Sequence, residues 1–159
     1  MHFLRRWQSL IVCILLSVAF ASTGAFLTKL DEWYFALNQP SWKPPDPAFG
    51  LIWSLIFSLS AAAAWLSWNS ARSNQRKMLY LFLYLINGGL NVLWSVLYFN
   101  LHRPDWSLIE CVPLWLSVLS LIISQWRDSR TASLLVVPYL IWVSIATVLN
   151  WQTVVLNGF

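Results

Sequence analysis

The sequence predicts an all-α integral membrane protein, a five-transmembrane-helix bundle with a long ordered loop between helices 1 and 2. The first observation is composition, because the 159 residues are 58% hydrophobic and only 10% charged, whereas soluble domains are about 25% charged. The second is that apolar residues form runs of about 20 residues or more, which cross a bilayer as helices because lipid cannot pair with a free backbone amide. The third is a cluster of prolines, interleaved with tryptophans, between the first two runs.

The chain forms a single membrane domain over residues 1–159, because its length suits one domain. The predicted spans lie at about 7–28, 49–68, 78–101, 106–126 and 131–157, with a lid loop at about 30–47. For the first span a cleavable signal peptide is the alternative, since Arg5 and Arg6 precede an apolar core. That core continues to Leu27, which is long for a signal sequence and favours a retained helix.

The distribution of basic residues predicts the orientation. Lys29, Lys43 and Arg103 fall in the loops on one side of the predicted bundle, and the other seven of the ten Lys and Arg residues fall on the opposite side. The positive-inside rule then places the N-terminus inside, and the lid loop and C-terminus outside. Basic residues scattered in this way set topology and do not indicate nucleic-acid binding. The short chain, with no transit extension before its first span, favours a bacterial cell membrane.

Each predicted span carries one stripe of small, polar or aromatic residues on an otherwise aliphatic surface. Small and polar residues of this kind can simply join helices to one another. Large aromatics with polar tips do not let backbones approach closely, and they are typical of cavity walls. The two stripes with the most such residues are Asn87, Asn91, Trp94, Ser95 and Tyr98 in the third span, and Tyr139, Trp142, Ala146 and Asn150 in the fifth.

Four other side chains could carry chemistry, and for each a structural role is the simpler interpretation. Glu110 is an acid within a span, which marks a candidate site, but it follows Trp106 by about one turn and can reach the interface. His102 could be an axial haem ligand, although a single interfacial histidine is usually an ordinary surface residue. Cys13 and Cys111 lie in apolar runs and fit small core positions.

The lid loop and the last three predicted spans carry a recognisable signature. Its residues are Trp33-Tyr34, Leu37-Asn38, Pro40-Ser41-Trp42, Pro44-Pro45, Phe49 and Trp53, then Asn91-x-x-Trp94-Ser95, Glu110, Trp115, Val137-Pro138-Tyr139-Leu140-Ile141-Trp142 and Ala146-Thr147-x-x-Asn150. With these residues the loop resembles the first loop of the translocator protein family, also called tryptophan-rich sensory proteins (TspO/MBR) or peripheral-type benzodiazepine receptors. The resemblance covers nearly the whole chain from Gly24 onward.

The resemblance implies a membrane ligand-binding protein, usually a homodimer, for tetrapyrrole sensing, transport or regulation. Members bind porphyrins such as protoporphyrin IX and haem, and related hydrophobic ligands, in a pocket between the helices beneath the first loop, and they require no other cofactor. The site residues carried over by motif position are Trp33, Tyr34 and Trp42 in the lid, with Trp53, Asn91, Trp94, Tyr139, Trp142 and Ala146 around the pocket.

Two alternative functions remain open at the level of sequence. Some bacterial relatives resemble light-dependent porphyrin-degrading enzymes, which would make Trp53 and Trp142 catalytic. The other alternative is that the protein is a small structural or regulatory subunit of a membrane complex, with Gly88-Gly89 as a contact face. Sterol binding is not expected, because Trp151 stands where the family's sterol segment has tyrosine and no basic residue follows.

Overall fold

The computed structural model of the chain describes residues 2–159, with side chains from residue 6 onward. The side chain of Arg5, one of the basic residues that predict the orientation, therefore lies outside the described residues. In this part of the chain the regular structure is entirely helical. Five helices are long and apolar enough to cross a membrane, which confirms the predicted fold class. The helices are α1 His2–Leu27, α2 Glu32–Ala36, α3 Asp46–Ser70, α4 Asn74–Ser95, α5 Pro104–Gln125 and α6 Arg130–Asn157, and a π-helical turn, Val96–Asn100, extends α4.

Four of the long helices begin before their predicted spans, because capping residues set their starts. The difference is two to four residues for α3, α4 and α5, and one residue for α6. Ser73 accepts a hydrogen bond from the Arg76 backbone N–H and starts α4, and Ser129 does the same for Ala132 at the start of α6. Proline in the first turn starts both α3 and α5, where its missing N–H costs nothing. These residues are polar or proline, so hydrophobic periodicity does not detect them.

The five long helices form a closed ring. Neighbours around it are α1 and α3, α3 and α6, α6 and α5, α5 and α4, and α4 and α1. Such a ring leaves space along its axis that side chains must fill. At the end away from the lid, fully buried aliphatic side chains fill it, including Ala63, Val118, Leu121, Ala132 and Val136.

Small and polar stripe residues join neighbouring helices, as one interpretation of the sequence predicts. Ser17 Oγ donates to the Phe57 carbonyl at 2.7 Å. A Cβ added to Gly88 would lie 2.6 Å from the Phe20 ring, whereas one added to Gly89 would meet nothing within 4 Å. Gly88 therefore packs within the bundle, between α4 and α1.

A buried carboxylate joins two loops at the end of the bundle away from the lid. Asp128 Oδ2 accepts from Arg76 Nε at 2.9 Å and from Tyr80 Oη at 2.5 Å, and Arg72 lies 3.3 Å from Oδ1. Burial opposes ionisation, but the hydrogen bonds from Tyr80 and Arg76 outweigh it and lower the pKa of Asp128. This ion-pair cluster fixes the α3–α4 loop against the α5–α6 loop.

Candidate ligand-binding cavity

The lid end of the helix ring encloses a cavity of about 410 Å³. This volume falls within the range of about 300–1,000 Å³ of small-molecule sites. All five long helices and the lid contribute to its surface. The residues used below are Tyr34, Gln39, Lys43, Asp46, Phe49, Trp53, Asn91, Trp94, Ser95, Tyr98, Phe99, Cys111, Trp142 and Ala146.

One wall of the cavity is a group of aromatic rings from α3 and α6. Trp53 and Trp142 lie with ring centroids 6.5 Å apart and planes at 88°. Phe49 packs edge-on against Trp142 at 5.5 Å. Perpendicular rings present both a flat face and an edge to the cavity, an arrangement that favours contact with another aromatic surface.

The opposite wall comes from the end of α4 and its π-helical turn. Trp94 stacks on Tyr98 with centroids 5.0 Å apart and planes at 20°. Tyr98 and Phe99 are consecutive, yet both are buried and both line the cavity. The wider π turn carries more residues per turn than an α-helix, so two neighbours can face inward. A helical period of 3.6 residues therefore does not predict Phe99 as a cavity residue.

Two buried hydrogen-bond donors of cavity-lining residues have no partner among the described residues. They are the indole Nε1 of Trp142, whose side chain is 7% exposed, and the amide Nε2 of Gln39 in the lid. Leaving a buried donor unpaired costs about 1–3 kcal/mol. A bound molecule with acceptor atoms would remove that cost.

Three polar side chains meet at the lid side of the cavity. Lys43 Nζ donates to Tyr34 Oη at 2.9 Å and also to Asp46 Oδ1. Tyr34 Oη in turn donates to Asp46 Oδ1 at 2.7 Å. Burial, with the bond to Asp46, raises the pKa of Tyr34, so the phenol stays protonated. We call these three residues the mouth triad.

The lid is anchored to the C-terminal end of α6. Asn157 accepts from the Asn38 backbone N–H at 2.9 Å and donates to the Asn38 carbonyl at 3.0 Å. Trp42 Nε1 donates to Gln152 Oε1 at 2.7 Å. Three hydrogen bonds therefore hold the second half of the lid over the cavity.

The first half of the lid rests on the α4–α5 connection. Asp31 caps α2 by accepting from the Tyr34 backbone N–H at 3.1 Å, and this bond, with a contribution from His102, lowers the pKa of Asp31. Trp33 stacks on His102 with centroids 4.2 Å apart, and His102 Nε2 lies 3.5 Å from Asp31. His102 lies at the surface as predicted, since its side chain is 41% exposed, and there it also supports the lid.

Of the nine predicted site residues, six lie on the cavity surface: Tyr34, Trp53, Asn91, Trp94, Trp142 and Ala146. Trp33 and Trp42 belong to the lid, where they contact His102 and Gln152 and do not line the cavity. Tyr139 lies behind Trp53, 5.9 Å between centroids, and accepts from Asn91 at 3.2 Å. It shares the helical face of Trp142 but lies one turn farther from the lid, beyond the end of the cavity.

Glu110 does not reach the interface as predicted. It is only 6% exposed, and neither carboxyl oxygen has a hydrogen-bond partner among the described residues. Because α5 begins at Pro104 rather than Trp106, Glu110 lies deeper in the span than the sequence indicates. The next residue, Cys111, lines the cavity, so Glu110 lies close behind its wall.

Comparisons with known proteins identify the family of the chain. The model of the TspO/MBR family matches residues 11–156. The chain is 34% identical over 136 residues to protein CrtK of Rhodobacter capsulatus, covering 86% of this chain and 84% of that protein. It is 32% identical over 151 residues to the tryptophan-rich protein TspO of Archaeoglobus fulgidus, covering 94% and 97%. It is 27% identical over 121 residues to the translocator protein of Homo sapiens, covering 76% and 72%. The chain therefore belongs to the TspO/MBR family, as a multi-pass membrane protein of the tryptophan-rich sensory and translocator type.

Proposed function

We propose that this protein binds porphyrins such as protoporphyrin IX and haem in the cavity beneath the lid, for tetrapyrrole sensing, transport or regulation. The observation that carries the proposal is the pair of aromatic walls, Trp53 with Trp142 and Trp94 with Tyr98, on either side of one enclosed space. Flat aromatic surfaces favour a flat aromatic ligand.

The polar groups of the cavity support the same class of ligand. Gln39 Nε2, in the lid, is a donor without a partner among the described residues, and a porphyrin supplies acceptors through its carboxylates. The porphyrin or haem is then the ligand of the protein, and binding requires no further cofactor. Binding energy would come mainly from apolar contact, at about 25 cal/mol for each Å² of apolar surface removed from water.

The test is equilibrium binding of protoporphyrin IX in the dark. Tryptophan fluorescence of the purified protein in detergent should be quenched saturably, and the porphyrin absorption band should shift. Trp142→Phe should weaken binding because it changes the cavity wall. Trp126→Phe is the matched control, since Trp126 is 46% exposed at the other end of the bundle. Quenching no greater than that of free tryptophan in the same detergent would exclude the proposal.

Light-dependent porphyrin degradation is the second candidate, and the contact between Trp53 and Trp142 favours it. Both indoles lie on the cavity surface, where either could donate an electron to a photoexcited porphyrin, with dioxygen as the final oxidant. Illumination should bleach bound porphyrin faster in the wild type than in a variant carrying Trp53→Phe and Trp142→Phe. Equal bleaching rates at equal occupancy would leave binding as the function.

We further propose a homodimer in a bacterial cell membrane, with the N-terminus inside and the lid outside. The basic residues Arg72, Arg76 and Arg127 lie at the end of the bundle away from the lid, as the positive-inside rule requires. Single cysteines at Ser41 and Ser73, in a background without Cys13 and Cys111, should react with impermeant thiol reagents from opposite sides of the membrane. Labelling of both from the same side would contradict this topology.

A further inference from the structure

We infer that Lys43 binds a carboxylate of the ligand at the lid side of the cavity, and that Asp46 competes with the ligand for Lys43. The inference rests on the proposed function and makes it more specific. The cavity would prefer planar ligands that carry a carboxylate over neutral ligands of the same shape, and it would hold them in one orientation.

The position of the Lys43 ammonium is closely defined. It donates to Tyr34 Oη at 2.9 Å and to Asp46, and it lies 5.2 Å and 5.6 Å from the ring centroids of Tyr34 and Phe49. The Lys43 side chain is only 17% exposed. A cation held at the edge of an apolar cavity is partly desolvated, and this strengthens its attraction for an anion.

Charge on the cavity surface is confined to one place. Among the described lining residues, Lys43 and Asp46 carry the formal charges, and they neutralise each other. A neutral ligand would leave this pair intact. An anionic ligand gains a favourable contact at Lys43, for which it competes with Asp46.

Asp46 is well placed to release Lys43. Its side chain is 32% exposed, so water can solvate the carboxylate. It retains the hydrogen bond from Tyr34 Oη at 2.7 Å. It is also the first residue of α3, where the helix dipole stabilises a negative charge. Replacing the Asp46 carboxylate at Lys43 by a carboxylate of the ligand therefore costs little free energy.

The inner end of the cavity differs, and this determines orientation. It presents the rings of Trp53 and Trp142 and the unpaired indole N–H, without a charged group. A carboxylate directed there would be buried without a counter-ion, at a cost of several kcal/mol. The carboxylate edge of the ligand therefore faces the lid, and its apolar edge lies between the tryptophans.

The experiment compares protoporphyrin IX with its dimethyl ester, which keeps the ring and removes both charges. Dark affinities for both are measured for wild type, Lys43→Gln and Asp46→Asn. A hydrogen bond to a charged group is stronger than one between neutral groups, but partial exposure to water weakens this one. Lys43→Gln should therefore weaken binding of the diacid about tenfold. Asp46→Asn should strengthen it several-fold, because the competitor is gone. Affinity for the ester should change less than about twofold in either variant.

Lys29→Gln is the matched control, because Lys29 lies on the same side of the membrane but does not line the cavity. Lys43→Arg should keep the preference for the diacid, because it retains the positive charge. Thermal unfolding checks that each variant is folded. Asp46→Ser replaces Asp46→Asn if the latter does not fold. Equal losses in Lys29→Gln and Lys43→Gln, or equal responses of diacid and ester, would overturn the inference. Binding of neither compound to the wild type would instead refute the porphyrin proposal, and this inference with it.

Discussion

Asn157 should control how long a ligand stays in the cavity, because its side chain makes two hydrogen bonds to the lid backbone. Asn157→Ala removes the bonds to the N–H and the carbonyl of Asn38, at 2.9 Å and 3.0 Å. Both bonds are exposed, so each is worth about 0.5 kcal/mol, the low end for a protein hydrogen bond. A total of about 1 kcal/mol corresponds to a roughly fivefold faster opening of the lid.

The assay is dissociation of protoporphyrin IX from preloaded protein, followed in the dark after mixing with excess apo-acceptor. The dissociation rate should rise about fivefold, while the thermal midpoint changes little, because the bonds break in local opening rather than in global unfolding. Asn69→Ala is the matched control. Asn69 also makes two side-chain hydrogen bonds, to Ser9 and Trp65, but at the other end of the bundle.

An unchanged dissociation rate in Asn157→Ala would show that the ligand does not leave past the lid. An equal increase in Asn69→Ala would show that general loosening of the bundle, and not lid opening, sets the rate. Either result would refute the reasoning that the hydrogen bonds between the lid and α6 retain the ligand.

Three further predictions concern packing, charge and the lid. Gly88→Ala should destabilise the protein by about 1–3 kcal/mol, since the new methyl group overlaps the Phe20 ring. Gly89→Ala should instead be neutral or stabilising by up to about 1 kcal/mol. Thermal unfolding in detergent compares the two variants. Asp128→Asn should cost roughly 2 kcal/mol at neutral pH. Because the pKa of Asp128 is lowered by folding, that contribution is present above the unfolded value of about 3.9 and is lost as the pH falls through the folded value, so wild type and variant should converge in stability in acid. Replacing both residues of Pro44-Pro45 by alanine should speed ligand release more than it lowers the unfolding midpoint, because a less restricted lid loses more entropy on closing.

The inward faces of the helices could be predicted because lipid imposes them. Most side chains that meet the bilayer are apolar, so polar and small residues mostly record the direction of the bundle axis. Asn87, Asn91, Ser117 and Asn150 are all buried, in agreement with the stripes. Asn87 donates to Ser117 at 2.8 Å, which shows that part of the stripe serves to join helices.

Depth along the axis could not be predicted from the same pattern. Periodicity gives the direction of a side chain but not its height, so it does not distinguish Tyr139, which lies beyond the cavity, from Trp142, which lines it. Phe99 is not indicated for a related reason, since a π turn has no signature in hydrophobic periodicity. The contacts within the mouth triad could not be predicted either, because they depend on how the lid folds back on α3. Proline-rich loops have no hydrophobic period that would indicate this.

The structure also separates two roles among the tryptophans of the lid and the helices. Trp53, Trp94 and Trp142 form cavity walls. Trp33 and Trp42 instead anchor the lid from outside the cavity, and each directly precedes a member of the mouth triad, Tyr34 and Lys43. Adjacent side chains point in different directions, so fixing an indole against His102 or Gln152 turns its neighbour toward the cavity. The lid tryptophans thus position their neighbours and do not contact the ligand themselves. Substitutions of Trp33 or Trp42 should therefore act on ligand binding through Tyr34 and Lys43.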